Sequence, residues 1–235
     1  MNASDTYPVH ERFHAFQGEG RHMGVNAFFI RLFGCPVHCP WCDSAGTWHP
    51  NHIPKDISKM TASALVKEVR ESGAESCIIT GGEPCVHDLN PLVDALDRAH
   101  VAAHLETSGA FPIRGSVTWT VLSPKRWKLP INETVMRADE FKFIIETPED
   151  IQFYHNLLFP SGEDSLLREV WLHPEWSKRQ DPTVLKAISD AVKSKENKSR
   201  RFRAGWQLHK MYQCDLLDDR SKDPVPLGGD EKRGY

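Results

Sequence analysis

VNAFFIRLFGCPVHCPWC, Val25 to Cys42, carries two readings in one stretch. Val25 to Phe33 is an aromatic and β-branched run that stops at Gly34, the composition of a strand delivering the chain directly into a loop. The loop then sets Cys35, Cys39 and Cys42 within eight residues, close enough to wrap one inorganic centre rather than to pair with one another. Iron–sulfur clusters are usually held by four thiolates, so a set of three leaves one iron open to an outside ligand. The bland alternative is a closed zinc site completed by His38, although His38 adjoins Cys39 and simultaneous ligation is awkward.

The pattern beyond the loop alternates strands with helices. Thr61 is placed to cap a helix with Leu65, Val66 and Val69 on one face, and Ser76 to Thr80 reads as a buried strand. Asn90-Pro91 opens a second helix, with Val101 to Glu106 as the strand that follows it. Shorter strands are expected at 119–122, 140–145 and 169–172. Asp181-Pro182 starts a helix through about Val192, and Phe202 to Leu208 reads as a last strand. This order predicts an α/β fold with a mainly parallel sheet and right-handed crossovers. No helix is evident before 119–122, so the helical layer is expected to be incomplete. A single domain is expected over 1–235, with the cluster loop at 34–48 and an irregular tail from about 215 to 235.

The 235 residues are 40% hydrophobic and 26% charged, enough for a sizeable core. Formal net charge is −3, from 29 basic and 32 acidic residues, which gives no field suited to direct nucleic-acid binding and favours a small substrate. The N-terminus has no basic and apolar leader and no run of about 18 apolar residues occurs, so a soluble cytoplasmic protein without membrane contact is expected. Clustered cysteines in such a chain point to a metal rather than a disulfide framework, and Cys77, Cys85 and Cys214 read as buried small hydrophobes. Lys193 to Arg201 reads as a frayed helix end and solvated surface.

Three further segments fall at strand ends, where α/β folds build ligand sites. Thr80-Gly81-Gly82-Glu83-Pro84 combines glycines that admit close backbone approach with a carboxylate able to accept from an ammonium. Glu106-Thr107-Ser108-Gly109 and Ser123-Pro124-Lys125 are the other two, each of which also fits an ordinary turn or cap.

The C-x3-C-x2-C spacing with Trp41 before the last cysteine resembles the cluster motif of the radical S-adenosylmethionine (SAM) superfamily. That resemblance implies a [4Fe-4S] cluster on Cys35, Cys39 and Cys42, whose open iron is chelated by SAM and whose electron cleaves SAM to a 5′-deoxyadenosyl radical. It also matches the Gly81-Gly82-Glu83 segment to the stretch that contacts the SAM amine.

Phe16-Gln17-Gly18-Glu19-Gly20, Arg31, and Cys42-Asp43-Ser44 together resemble the 7-carboxy-7-deazaguanine synthase family, and the likeness runs to about position 210. The resemblance implies a partial (β/α) barrel. It also implies contraction of 6-carboxy-5,6,7,8-tetrahydropterin to 7-carboxy-7-deazaguanine with loss of ammonia, on the route to queuosine and related 7-deazapurines. Carried over, Arg31 pairs with the substrate carboxylate, and Phe16, Gln17, Gly18 and Thr107 hold the pterin. Trp41, Cys42, Asp43, Gly81, Gly82, Glu83, Gly109, Ser123, Pro124 and Lys125 contact SAM. Mg2+ is held partly by Ser44, where the family usually has threonine. His173 stands where glutamine is expected, and Gln207 and Lys210 are further candidates that the resemblance reaches, although a late strand could equally carry them as outward polar positions. A homodimer and a reducing donor such as flavodoxin are implied too. Two rivals are a radical SAM activase that makes a glycyl radical on a protein, and a zinc-stabilised binding module.

Overall fold

The computed structural model describes residues 5–160 and 168–225. In chain order the strands are β1 (Thr6–Phe16), β2 (Asn26–Leu32), β3 (Ser58–Thr61), β4 (Ser76–Gly81), β5 (Ala102–Thr107), β6 (Trp119–Leu122), β7 (Glu140–Ile145), β8 (Glu169–Pro174) and β9 (Phe202–Ala204). The helices are α1 (Ala62–Ser72), α2 (Asn90–Arg98), α3 (Asn132–Arg137), α4 (Glu149–Leu158), α5 (Pro182–Lys193), α6 (Asn197–Arg200) and α7 (Leu208–Tyr212). All the strands join one sheet in the order β3-β1-β2-β4-β5-β6-β7-β8-β9. From β2 onward every pairing is parallel. β1 and β3 add an antiparallel edge beside β2.

Side chains alternate across this sheet with the two-residue period of a strand. On β7, Phe141, Phe143 and Ile145 pack toward the helices, while Glu140, Lys142 and Ile144 take the other face. The helix-side core falls into two clusters, one under α1 and α2 around Leu65, Leu92 and Ile79, the other under α4 and α5 around Phe143, Tyr154 and Ile188. No helix links β5 to β6, so the helical layer is incomplete at that point among the described residues.

The other face is concave and polar. In a flat sheet β1 and β9 would lie roughly 34 Å apart, at about 4.8 Å per strand. Instead the segment after β9 reaches the segment after β1: Leu208 N donates to Gly18 O at 3.0 Å, and Gln207 Nε2 donates to Glu19 Oε1 at 2.8 Å. The sheet therefore curls until its ends are tied by a short strap, an open barrel.

Local signals explain most boundaries. Thr61 Oγ1 accepts from Ala64 N at 3.2 Å at the start of α1, and Asp181 Oδ1 accepts from Thr183 N at 2.9 Å before α5. Three expectations need correction. No strand was expected before Val25, yet β1 spans eleven residues. A bulge between Val9 and Glu11 breaks its alternation: Tyr7 and Val9 face the helices, whereas Glu11 and Phe13 face the barrel with Arg31 and Phe29. The expected strand Phe202 to Leu208 stops at Ala204, because the chain leaves the ladder to bond Gly18 and enters α7. The expected irregular tail begins with a turn of 3-10 helix at Cys214–Leu217, and its residues 226–235 lie outside the described residues, as do residues 1–4 of the N-terminus. No described helix is long and apolar enough to cross a membrane.

Candidate active site

The concave face encloses a cavity of about 260 Å³ at the C-terminal ends of β2, β4, β5 and β6. β2 ends at Leu32, and the cysteine loop follows directly, so Cys35, Cys39 and Cys42 line this cavity together with Trp41, Asp43 and Ser44. Gly82 N donates to Leu32 O at 3.0 Å and Glu83 N to Gly34 O at 2.9 Å, which presses the glycine turn of β4 against the cysteine loop. A Cβ on Gly82 would lie 2.5 Å from Cys35 Cβ and 2.5 Å from Gly34 O, so only glycine permits this approach.

The three thiols are free, and each is partly exposed. Burial pushes Cys39 up to about 12 and Cys42 up to about 11, and raises Cys35 as well. Unpaired thiolates are unfavourable here, and a cationic centre that supplies the missing charge fits the site. Two N–H groups already point at one sulfur: Ser44 N lies 3.4 Å and Trp48 Nε1 3.5 Å from Cys42 Sγ. Hydrogen bonds to ligand sulfurs of this kind tune iron–sulfur centres.

Around the thiols, charged residues are held by one another. Arg31 Nε sits 2.5 Å from Glu11 Oε1, and Glu11 holds the guanidinium pKa above its ordinary value against the effect of burial. Asp43 Oδ2 pairs with Lys210 Nζ at 3.0 Å. Burial opposes its ionisation, but Lys210 and Arg31 hold its carboxyl well below the usual carboxylate range. Lys125 Nζ donates to Ser123 O at 2.5 Å and Ser123 Oγ at 2.7 Å, beneath the Trp41 ring, and burial lowers its pKa.

Deeper in the barrel, Lys142 bridges two carboxylates, Glu19 and, at 2.8 Å, Glu106 Oε2. Burial works against its charge, but Glu106 and Glu19 raise the pKa further. Gln17 Nε2 donates to Glu106 Oε1 at 3.2 Å and Gln207 Nε2 to Glu19 Oε1 at 2.8 Å, so two amides flank the triad.

Most of the expected residues converge on this cavity: Phe16, Gln17, Arg31, Cys35, Cys39, Trp41, Cys42, Asp43, Ser44, Gly81, Gly82, Glu83, Thr107, Ser123 and Lys125 line it. Gly18, Gly109 and Pro124 do not. Gly18 packs against His209, and Gly109, at φ 80°, packs against Leu122 and Pro130. Glu83, expected as an ammonium acceptor, lines the cavity with its carboxylate held by its neighbours. Its oxygens take Thr107 Oγ1 at 2.7 Å, Ser108 N at 2.9 Å, Ser108 Oγ at 2.5 Å and Cys85 N at 3.1 Å, which ties β4 to β5. The two late candidates, Gln207 and Lys210, both line the cavity, whereas His173 is fully buried.

Glu11, Glu19, Lys142, His209 and the segment Lys222 to Val225 also line the cavity and were not singled out. Lys142 had a signal, a lone cation in the apolar strand Glu140-Phe-Lys-Phe-Ile-Ile145. The C-terminal segment had none: it is fixed by Lys222 N on Glu11 Oε2 at 2.7 Å and Ala45 N on Val225 O at 2.9 Å, contacts that depend on the fold.

A family model described as a 4Fe-4S single cluster domain matches residues 16–125. The 7-carboxy-7-deazaguanine synthase of Prochlorococcus marinus is 42% identical over 201 residues, covering 75% of this chain and 87% of the relative. That of Flavobacterium psychrophilum is 35% identical over 210 residues, 89% of this chain and 93% of the relative. A crystal structure of QueE from Escherichia coli matches with a TM-score of 0.72 at 32% identity, covering 87% of this chain and 95% of that one.

Proposed function

The chain belongs to the 7-carboxy-7-deazaguanine synthase family, and from that premise we propose which of its residues perform the family's reaction. The reaction is the radical SAM contraction of a carboxylated tetrahydropterin to 7-carboxy-7-deazaguanine with release of ammonia, a lyase step of 7-deazapurine biosynthesis. Its cofactors are a [4Fe-4S] cluster and SAM, which together supply a carbon-centred radical that abstracts hydrogen from the substrate.

Cys35, Cys39 and Cys42 hold the cluster. The observation that carries this assignment is the convergence of all three thiols with the glycine turn on one cavity. Trp41, Asp43, Gly81, Gly82, Ser123 and Lys125 surround the neighbouring SAM space. Arg31, on the barrel face of β2, presents a planar fork suited to the substrate carboxylate. Phe16, Gln17 and Thr107 hold the ring, with the Glu19–Lys142–Glu106 triad beneath it. Gly18, Gly109 and Pro124 act through backbone placement. Ser44 offers Mg2+ an oxygen, and Mg2+ takes few protein ligands beside water and substrate. A single domain, a homodimer, a cytoplasmic location and a flavodoxin-type donor complete this reading.

The test is anaerobic incubation of the iron-reconstituted, reduced protein with SAM, Mg2+ and 6-carboxytetrahydropterin. Deazaguanine product is expected by mass spectrometry, and the Cys39→Ser variant should lose both iron and product. SAM cleavage without deazaguanine would overturn the substrate assignment, and a colourless zinc protein would overturn the cluster.

A further inference from the structure

A turn directly after the cysteine loop brings a tryptophan back to it. Ala45–Thr47 form this 3-10 turn, closed by Trp48 N on Ala45 O at 3.0 Å and by Thr47 Oγ1 on Ser44 O at 2.7 Å. The turn is buried and pressed against β1, since a Cβ on Gly46 would lie 2.8 Å from His10 Cε1. The Trp48 indole is thereby set beside Cys42, and its Nε1 donates to Cys42 Sγ at 3.5 Å. Two rings fix the indole plane. His38 stacks on it with centroids 4.3 Å apart and planes 17° from parallel, and His49 meets it edge-on at 5.3 Å. His38 takes its place between Cys35 and Cys39 with φ 57°, a left-handed backbone that histidine adopts more readily than most residues.

Other N–H groups directed at the sulfurs belong to the backbone: Ser44 N lies 3.4 Å from Cys42 Sγ, and the amides of Val37 and His38 donate to Cys35. A loop that wraps a cluster brings such amides with it. Trp48 reaches the same sulfur with a side chain from outside the loop, and neither Trp48 nor His38 lines the cavity. A donor on a ligand sulfur withdraws density that the thiolate would give to iron. That bond strengthens as the cluster gains negative charge, so it favours the reduced form.

We infer that Trp48, held in place by His38, raises the reduction potential of the cluster through its bond to Cys42 Sγ and so eases reduction by a low-potential one-electron donor. The inference rests on the assignment of the cluster to Cys35, Cys39 and Cys42. One electron passes from the donor to the cluster; no bond forms or breaks, and the indole keeps its proton. Trp48 is a positioning residue, since it acts on the cluster only through Cys42 and stands apart from the SAM and substrate space.

The experiment is a reductive titration of the iron-reconstituted protein without SAM, poised with mediators of known potential and read by electron paramagnetic resonance of the reduced cluster. Trp48→Phe keeps an aromatic ring for the stack and removes the N–H. It should disfavour reduction by about tenfold, which for a one-electron couple is a potential about 59 mV lower. Iron content and SAM affinity should stay within about twofold of wild type, because the side chain lies outside the cavity. His38→Asn tolerates the left-handed backbone and removes the stacked ring, so it should disfavour reduction by about threefold, the size of one aromatic pair. A purely structural role for Trp48 would show as lost iron or weaker SAM binding with the potential unmoved, and would overturn the inference, as would a potential that rises. If Trp48→Phe takes up no iron, His38→Asn decides: a wild-type potential there overturns the inference, and a lowered one supports it. A wild type that takes up no iron fails the cluster assignment and the inference with it, whereas a loaded cluster indifferent to Trp48 fails the inference alone.

Discussion

Glu11 and Arg31 face each other across the β1–β2 ladder, with Glu11 Oε1 2.5 Å from Arg31 Nε. The bulge at His10 makes this pair, because it turns Glu11 from the helix side into the barrel. The second carboxylate oxygen takes Lys222 N at 2.7 Å, so one side chain orients the guanidinium and anchors the C-terminal segment over the cavity.

Arg31→Lys should therefore raise the KM for the carboxylated pterin by about tenfold or more, since a point charge cannot replace a planar fork. The affinity for SAM should be unchanged. Glu11→Gln keeps an acceptor for Lys222 N and removes the charge that orients Arg31. It should raise KM by roughly threefold to tenfold with kcat little changed, the size of one ordinary net hydrogen bond. Steady-state kinetics of both variants separate these effects, and a Glu11→Gln variant with wild-type KM would refute the orienting role.

Lys142 is the sole cation bonded to both Glu19 and Glu106 among the described residues, and all three are largely buried. Lys142→Met leaves two carboxylates facing each other without compensation. It should cost about 3–5 kcal/mol in urea unfolding. Adding Glu106→Gln should recover part of that loss, because one of the two uncompensated charges is gone. A double variant no more stable than the single one would mean that the loss comes from packing rather than charge.

The strands and helices that bury one side against the core were legible because their apolar periods are regular, as with Leu65, Val66 and Val69 or Phe141 and Phe143. The cysteine loop and glycine turn were legible because their spacing is local. β1 was not, since its bulge breaks the alternation and Pro8, His10 and Glu11 interrupt the apolar run. The partners of Arg31, Asp43 and Lys142 were also out of reach. Glu11, Lys210, Glu19 and Glu106 lie 20 to 167 positions away in the chain and meet them only once the barrel curls.

Ser44 Oγ donates to Asp43 Oδ1 at 3.2 Å, so its hydroxyl is held near the thiols but is not locked by a branched side chain. Ser44→Ala should abolish most of the stimulation by Mg2+ while leaving iron content and SAM cleavage without substrate intact. Ser44→Thr should retain the stimulation and shift half-saturation to lower Mg2+, because the added methyl restricts the rotamer. Titration of activity with Mg2+ after chelator treatment reads both. Unaltered Mg2+ dependence in Ser44→Ala would remove this residue from the metal site.

Glu140 offers a pH test at the barrel floor. It is almost fully buried, accepts from Arg21 N at 3.0 Å, and burial pushes its pKa up to about 7. A carboxyl raised above its unfolded value favours the protonated form in the folded state. The folded protein then binds the extra proton, so this group's contribution to stability falls as pH rises from the unfolded pKa of about 4.3 through 7 and is constant above that. Glu140→Gln keeps an acceptor for Arg21 N and removes the titration. The variant should be about 3 kcal/mol more stable than wild type at pH 8, with the gain shrinking to about 1 kcal/mol near pH 5. Urea unfolding of the metal-free protein at the two pH values measures the difference. A difference of equal size at both would mean that folding does not raise the pKa of Glu140.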